Sequence, residues 1–404
     1  MKKKILSFAT RPNLKYPLQY MIYCVLRDIE QTLIENYLNF SDSLMYTPLM
    51  FIGEFFGGLI VYLYQKKFIE KKILKDACPN KLVNILLKKA EKRVKIIDTK
   101  PKIIFIIFCC SFFDFIQFVI SINAPQFINV SASVSTRLGE VLIIFDALFY
   151  YFALKLPLKR HQIFSLIVLS SCLLIVIITE FIFQEINIFI SYLDFIHVFL
   201  LSFSGRFFGS MVDANEKYLF EYDNFNPFYA LLFEGLFGFL LSVIYNIFYN
   251  PFEKINEIKK NKTSSEFGIL IFCLIIYVIL SGLKNLFRVN TTKIFTPMTT
   301  ASSEFILNPI YFIIDFVLGN DFIKKGKRNY AFFFINIIIS IIISFFCLVF
   351  NEFAILYICD LDKDTHLQIS KRSEIDETFN NFEELYIIND NNSFAFDINF
   401  MNKI

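Results

Sequence analysis

The stretch NVSASVSTRLGEVLIIFDALFYYFALKLPLKR, residues 129–160, is long enough to cross a membrane, and its second half is apolar enough to do so. The first half is polar and carries Ser133, Arg137 and Glu140. A charged side chain in the middle of a bilayer costs roughly 3 kcal/mol, so charges are rare in spanning helices unless they have a function. The stretch therefore predicts a membrane helix whose polar half faces protein or water rather than lipid.

The composition of the whole chain is that of an integral membrane protein. Its 404 residues are 55% hydrophobic and only 19% charged, and apolar runs of membrane-spanning length recur along it. These runs predict an all-α protein with about ten transmembrane helices, of which the first is the weakest because it contains four charged residues. The predicted spans are residues 16–40, 47–66, 101–123, 130–154, 162–183, 187–208, 227–249, 267–286, 294–318 and 329–351.

The distribution of lysine and arginine predicts the orientation of the chain. The connection 66–102 holds thirteen basic residues against four acidic ones, and cytosolic loops of membrane proteins are rich in these basic residues. With ten crossings, both termini are then cytosolic. They are a short segment, 1–15, and an acidic, Asn-rich tail, 353–404, which is expected to be disordered.

Two pairs of short similar sequences indicate an internal repeat. GEFFGG at 53–58, in the second span, resembles EGLFG at 234–238, in the seventh. STRLGE at 135–140, in the fourth span, resembles TASSE at 300–304, in the ninth. The matched spans lie five apart in both cases, which predicts one five-helix unit used twice.

The two predicted units are residues 16–183 and 184–352. Because each unit crosses the membrane an odd number of times, the second copy inserts upside down relative to the first. Inverted repeats are an architecture of secondary transporters, in which the substrate site lies near the midplane where the halves meet. The predicted fold is therefore a membrane bundle of two inverted five-helix repeats.

Polar residues of the fourth and ninth spans are expected to meet inside this bundle. In the fourth span, Ser133, Arg137 and Glu140 share one helix face. In the ninth span, Thr296, Thr300 and Ser303 repeat that spacing. Glu304 lies one position further on. Since the two helices run in opposite directions, their polar halves overlap around the midplane and predict a polar chamber there.

The chain resembles the drug/metabolite transporter superfamily, in its nucleotide-sugar-transporter-like branch (solute carrier family 35 and relatives). The resemblance rests on SASVSTRLGEVLIIFDALFYYFALKLPLKRHQIFSLIVLSSCLLIVI, residues 131–177, and on ANEKYLFEYDNFNPFYALLFEGLFG, residues 214–238. It covers roughly residues 45–352. The resemblance implies a carrier of organic metabolites with a cavity lined by helices one to four and six to nine. It also implies an endomembrane of the Golgi or of a lysosome or vacuole, rather than the plasma membrane.

The candidate substrate-binding residues are polar positions inside the predicted spans. They are Gln117, Ser133, Arg137, Glu140, Asn285, Arg288, Thr300, Ser303 and Glu304.

Several of these positions have alternative interpretations. Arg137 and Glu140 could form a purely structural ion pair. Arg288, with Lys284 and Lys293, could be an ordinary cytosolic flank of a membrane helix. Glu304 has no basic residue within one turn of its own helix, so a lone carboxylate there would suit a proton-coupled step.

Glycines in the second span indicate close contact between helices. Gly53 and Gly57 are four residues apart, a spacing typical of a packing face in membrane helices. Glu54 and Glu234 each stand beside a glycine and are interpreted with that packing rather than with the binding site.

The sequence predicts a secondary transporter of a small organic metabolite, nucleotide-sugar-like or a related anionic or polar solute. The expected partners are this solute and the lipid bilayer, with no nucleic acid, metal or cofactor, and a homodimer is left open. The chain has no HExxH or GxSxG motif and no phosphate-binding P-loop, which argues against an enzyme and against an ATP-driven pump. The alternative function is a membrane scaffold or receptor that retains the transporter fold without transporting.

Overall fold

The computed structural model describes residues 6–8, 15–38, 43–75, 101–127, 141–155, 157–184, 192–223, 225–249, 263–310, 328–366 and 368–369. These residues form ten α-helices of ten residues or more and two short β-strands. The helices are α1 (Lys15–Leu38), α2 (Ser43–Lys75), α3 (Pro101–Phe127), α4 (Val141–Phe152), α5 (Arg160–Gln184), α6 (Tyr192–Glu221), α7 (Pro227–Tyr249), α8 (Ser264–Ile294), α9 (Pro297–Ile306) and α10 (Arg328–Phe350). The strands are β1 (Leu6–Phe8) and β2 (Ala354–Leu356).

Five of the helices, α2, α3, α5, α7 and α8, contain segments long and apolar enough to cross a membrane. Helix α4 and the segment Phe334–Phe350 of α10 are apolar but shorter. Large apolar side chains such as Phe105, Phe152 and Phe248 lie exposed on the outside of the bundle. This surface suits hydrocarbon rather than water, and the prediction of an integral membrane protein is confirmed to that extent.

Two helices extend well beyond the spans predicted from hydropathy. Helix α6 continues to Glu221, whereas its predicted span ended at residue 208, and α8 continues to Ile294 rather than to residue 286. Each hydropathy window stopped where charged residues begin. The helices continue because those charges find partners inside the protein, so no exposure to lipid has to be avoided there.

Helix α2 packs closely against both α7 and α8 through glycines. A Cβ atom placed on Gly53 would lie 2.4 Å from the carbonyl oxygen of Val278, and one on Gly282 would lie 2.5 Å from the carbonyl oxygen of Gly53. On the α7 side, a Cβ on Gly235 would lie 2.4 Å from the backbone nitrogen of Phe55. The predicted packing face at Gly53 is confirmed, because only a residue without a side chain permits this backbone approach.

The remaining helices pack around this central group. Helix α1 lies against α8, α3 against α6 and α7, α4 against α6, and α5 against α10. The ring of Tyr23 stacks on Phe287 between α1 and α8, with centroids 5.2 Å apart. The charged first helix is thus an integral part of the bundle, although it is not among the five apolar candidates for membrane spans.

The two terminal segments that the structure describes meet beside the start of α5. There β1 pairs antiparallel with β2, with Ser7 opposite Ile355. Glu352, which follows α10, accepts a hydrogen bond from Lys159 Nζ at 2.8 Å and another from the His366 backbone N–H at 2.8 Å. The beginning of the tail that was expected to be disordered is therefore folded back onto the start of α5.

Candidate functional site

Helix α8 carries a line of buried polar residues through the interior of the bundle. Ser281, Lys284 and Arg288 recur at helical spacing on one face, with Asn285 beside them. A helix that is apolar elsewhere can bury such residues only if neighbouring helices supply partners for them. Partners come from α1, α2, α6, α7 and α9.

Arg288 is surrounded by carboxylates of α6 and α7. Its Nη1 lies 3.2 Å from Asp213 Oδ1, and its Nη2 lies 2.5 Å from Glu216 Oε1 and 4.0 Å from Glu234 Oε2. A guanidinium offers five N–H donors in a planar fork, which suits contacts with several carboxylates at once. Arg288 therefore joins α8 to α6 through two charge-assisted hydrogen bonds and to α7 through a longer ion pair.

A second ion pair lies one helical turn away on α8. Lys284 Nζ donates to Glu304 Oε1 of α9 at 3.2 Å, and the Tyr20 hydroxyl donates to Glu304 Oε2 at 3.4 Å. Arg206 of α6 is close enough to interact electrostatically with the same carboxylate. The Glu304 side chain retains 32% exposure, whereas that of Lys284 retains 9%. The side chains that contact or face this carboxylate come from α1, α6 and α8, so Glu304 is directed towards other helices of the bundle.

Glu54 of α2 links the two ion pairs. Its Oε1 accepts a hydrogen bond from Asn285 Nδ2 at 2.5 Å, and its side chain is buried. Asp114 of α3 lies within electrostatic range of Glu54 and Arg288. We call the residues of this connected group the ionic core, to which six helices contribute; they are Glu54, Asp114, Asp213, Glu216, Glu234, Lys284, Asn285, Arg288 and Glu304.

The junction of α8 and α9 is held in place by Lys217 of α6. Its buried ammonium donates to the carbonyl oxygens of Thr292 at 3.2 Å, Lys293 at 3.4 Å and Phe295 at 2.7 Å. The last carbonyl oxygens of a helix have no N–H donors within the helix, so the Lys217 ammonium supplies donors to them. A cation at this end also complements the helix dipole. The side chain of Thr296 caps the N-terminus of α9 by accepting from the Thr299 backbone N–H.

The structure brings three of the predicted site residues together, namely Asn285, Arg288 and Glu304. Thr300 lies beside them but is hydrogen-bonded to Thr292 at 3.0 Å, and Ser303 donates to the Thr299 carbonyl oxygen at 2.6 Å. These two hydroxyls therefore stabilise the contact of α8 with α9 and the turn of α9.

The other predicted positions lie elsewhere. Gln117 of α3 places its side-chain amide against Gly209 of α6, where a Cβ would be 2.5 Å from its Oε1. Ser133, Arg137 and Glu140 lie outside the described residues.

Two of the alternative interpretations are wrong. Lys284 and Arg288 are not a solvated cytosolic flank, because Lys284 is buried, Arg288 is only 15% exposed, and both are paired with carboxylates of other helices. Glu304 is not a lone carboxylate, because its partner Lys284 comes from α8 rather than from its own helix.

Sequence reasoning missed the carboxylates that surround Arg288. Asp213 and Glu216 were placed in a connecting loop because the predicted sixth span ended at residue 208. Asp213 and Glu216 are three residues apart, follow an apolar run and precede Glu221, a pattern that is compatible with a helix. This pattern could have indicated that the sixth helix continues past residue 208. Glu54 and Glu234 were assigned to glycine packing, whereas the structure shows that they also belong to the ionic core.

The polar groups of the site are carboxylates, the Asn285 amide, the Tyr20 hydroxyl, the Lys284 ammonium and the guanidinium groups of Arg206 and Arg288. Among the described residues, no three His, Cys, Asp or Glu side chains converge in a way that could hold a metal ion. The seven cysteines in the described part of the chain are free thiols. Carboxylates accept hydrogen bonds, whereas ammonium and guanidinium groups donate them, so the site offers both acceptors and donors.

Comparison with known proteins identifies no family for this chain. No protein-family model matches it, and no curated protein matches it. Among solved structures, a chain described as "Crystal structure of protein" aligns with a TM-score of 0.48 and 9% sequence identity, over 82% of this chain and 98% of that chain. A likeness at this level does not identify a fold or a function.

Proposed function

We propose that this protein is a secondary transporter of a small organic metabolite, which works by alternating access around the ionic core. The observation that carries the proposal is the buried ionic core itself, which lies inside a bundle with an apolar outer surface. Charges are retained at membrane depth mainly where a solute or proton uses them. Glu304, a third of whose side chain is exposed beside Lys284, is the residue that we expect to contact the solute.

The packing of the helices supports two repeats of five helices. If five is added to each number of the first repeat, α1 corresponds to α6, α2 to α7, and so on. The contact of α1 with α8 then corresponds to that of α6 with α3, and the contact of α2 with α8 to that of α7 with α3. Likewise, the contact of α4 with α6 corresponds to the contact of α9 with α1. The contact of α4 with α5 corresponds to the contact of α9 with α10. All of these contacts are present.

Helix directions support an inverted relation between the repeats. Helices α2 and α7 are antiparallel, because Gly58 lies against Leu232 whereas Gly238 lies against Phe51. Helices α2 and α8 are parallel, since Tyr46 meets Tyr277 and Glu54 meets Asn285.

The corresponding helices of the other repeat behave in the same way. Helices α3 and α7 are parallel, because Phe108 meets Phe237 and Phe115 meets Tyr245. Because α2 is antiparallel to α7 and parallel to α8, α3 is antiparallel to α8. Corresponding helices of the two repeats thus run in opposite directions, as inverted copies require.

Two polar contacts join the proposed halves at the core. Asn285 of the second half donates to Glu54 of the first, and Tyr20 of the first donates to Glu304 of the second. Each is a single hydrogen bond that water can replace, so rocking of the halves can break it at a free-energy cost of about 1.5–3 kcal/mol per bond. Opening then exposes Glu304 to one side of the membrane and subsequently to the other.

The orientation, compartment and oligomeric state belong to the same proposal. Lys159 and Arg160 lie at the end of the bundle where β1 meets β2, which supports placing that end in the cytosol with both termini. An endomembrane location follows from the family resemblance alone, and a homodimer is compatible with the proposal.

Solute flux into proteoliposomes tests the proposed function. The purified protein is assayed with radiolabelled nucleotide sugars, nucleotides, amino acids and polyamines, beside protein-free liposomes. We expect saturable uptake of one solute class, reduced at least about tenfold in Glu304→Gln, because loss of one charged hydrogen bond in a buried site costs about 1.5–3 kcal/mol. Asp360→Asn is the matched control, because Asp360 is an exposed carboxylate paired with Lys363 outside the helices.

The outcome also separates a transporter from the alternative scaffold or receptor. Uptake no faster than in protein-free liposomes for every solute class, from protein that is folded in the same preparation, would contradict the transporter proposal. A protein partner captured through residues 353–404 under those conditions would then support the scaffold.

A further inference from the structure

The terminal segments of the described chain are joined to each other across the two proposed halves. Strand β1 precedes α1 of the first half, and β2 follows α10 of the second half. The two strands pair antiparallel over three residues each, with Ser7 opposite Ile355. Ala354 and Ile355 of β2 are buried in this contact region. We call residues 6–8 together with residues 351–366 the terminal clasp.

The carboxylate of Glu352 attaches the terminal clasp to the first half. Its Oε1 accepts a hydrogen bond from Lys159 Nζ at 2.8 Å and lies 3.4 Å from His161 Nε2. Its Oε2 accepts from the backbone N–H of His366 at 2.8 Å, and the side chain is buried. The backbone of Glu352 lies in the left-handed region, with φ of 60°, which a residue other than glycine keeps only where its surroundings determine it. The contacts of this carboxylate therefore hold the chain in a conformation that it would rarely adopt without them.

The terminal clasp is also attached to α9, the helix that carries Glu304. Asn351 Nδ2 donates to Ser302 Oγ at 2.7 Å, and both side chains are buried. Ser302 stands two residues before Glu304 on the same helix. Lys159 immediately precedes α5, and Asn351 immediately follows α10. The clasp thus connects both halves at one end of the bundle, and separation of the halves at this end has to break its contacts.

We propose that the terminal clasp holds this end of the bundle closed, and that its release is the step that opens this end. The inference rests on the proposed transport function, because alternating access requires one end of a carrier to open while the other is closed. The clasp suits a reversible step, since a pair of short strands is only marginally stable by itself. The charged contacts of Glu352 are stronger than neutral hydrogen bonds and therefore set how readily the clasp opens.

Amide hydrogen exchange of the full chain in nanodiscs tests the terminal clasp without requiring a known solute. Glu352→Gln weakens the contact with Lys159, and Asp360→Asn is its matched control, because Asp360 is an exposed carboxylate of the same segment. A disulfide between Ser7→Cys and Ile355→Cys locks the strand pair instead. The Cα atoms of directly opposite residues lie about 4.5–5.5 Å apart in antiparallel strands, which is within the range of a disulfide. The single variant Ser7→Cys under the same oxidant is the control for the lock.

We expect Glu352→Gln to accelerate exchange in β2 and in α9 at least about tenfold, because opening then has to break one charge-assisted hydrogen bond fewer. The disulfide should slow exchange in α9, and reduction before the exchange step should restore the rate of the unmodified protein. Exchange in α7, which packs against α2 and α3, should change in neither variant. This reference helix distinguishes opening at the clasp from unfolding of the whole bundle.

Three results would overturn the proposal. They are acceleration confined to β2 in Glu352→Gln, acceleration of α7 to the same extent as α9, and a locked protein whose α9 exchanges at the unmodified rate. Absence of the disulfide after oxidation of the cysteine pair would refute the strand pairing on which the clasp depends. The transport proposal fails separately. Control of α9 exchange by the clasp, without flux of any solute class, would contradict the transporter alone, whereas Glu304-dependent flux that the disulfide leaves unchanged would contradict the clasp alone.

Discussion

Replacing Gly282 with alanine tests the packing of α8 against α2, on which the position of Lys284, Asn285 and Arg288 depends. The new Cβ would lie 2.5 Å from the carbonyl oxygen of Gly53 and 3.1 Å from its carbonyl carbon. Ordinary van der Waals contact begins at 3.4 Å, so the two helices must separate by almost 1 Å. The opposing atoms belong to backbone, which has no flexible end that could rotate away.

The structure provides a control on the same helix. A Cβ on Gly268 of α8 meets no atom within 4 Å. Both glycine-to-alanine substitutions gain about the same helix propensity, roughly 1 kcal/mol, so the difference between the variants isolates the cost of overpacking. That cost is typically about 1–3 kcal/mol. We therefore expect Gly282→Ala to be less stable than Gly268→Ala by about 1–3 kcal/mol.

The chain contains no tryptophan, so thermal unfolding is best followed through its cysteines. Cys24, Cys110, Cys172 and Cys347 are buried free thiols that a thiol-reactive fluorophore reaches only after unfolding. Equilibrium unfolding in mixed micelles, followed by circular dichroism, supplies the free-energy difference. Equal stability of the two alanine variants would refute the close approach of α2 and α8, and with it the geometry of the ionic core.

Two further predictions concern the charged contacts. Arg288→Gln leaves Asp213 and Glu216 without their cation and should lower the free energy of unfolding by about 3–5 kcal/mol. Adding Glu216→Gln to this variant should recover part of the loss in the same micelle assay. A double variant that is less stable than the single variant would contradict the pairing. Glu352→Gln weakens the contact with Lys159 that holds the folded start of the tail and should cost about 1–3 kcal/mol. The control Asp360→Asn should stay within about 0.5 kcal/mol of the unmodified protein, as substitutions at exposed positions usually do. Equal stability of Glu352→Gln and Asp360→Asn would argue against the Glu352 contact.

The sequence was informative where a property depends on neighbours along one helix. Hydropathy predicted the apolar helices, and the spacing of Gly53 and Gly57 predicted a packing face. Polar positions on α8 and α9 pointed to Asn285, Arg288 and Glu304, three residues of the core. Hydropathy misplaced the end of α6, because it treats a charged residue as a boundary whether or not a partner is available.

The sequence by itself thus determined that the chain forms apolar helices for a membrane, and that some of them carry charges. Only the tertiary structure decided which charges meet. Arg288 pairs with residues 75 and 72 positions away, and Asn285 pairs with one 231 positions away. The physical reason is that spacing in the sequence fixes which face of a helix a side chain occupies, whereas the partner on that face depends on how separate helices pack.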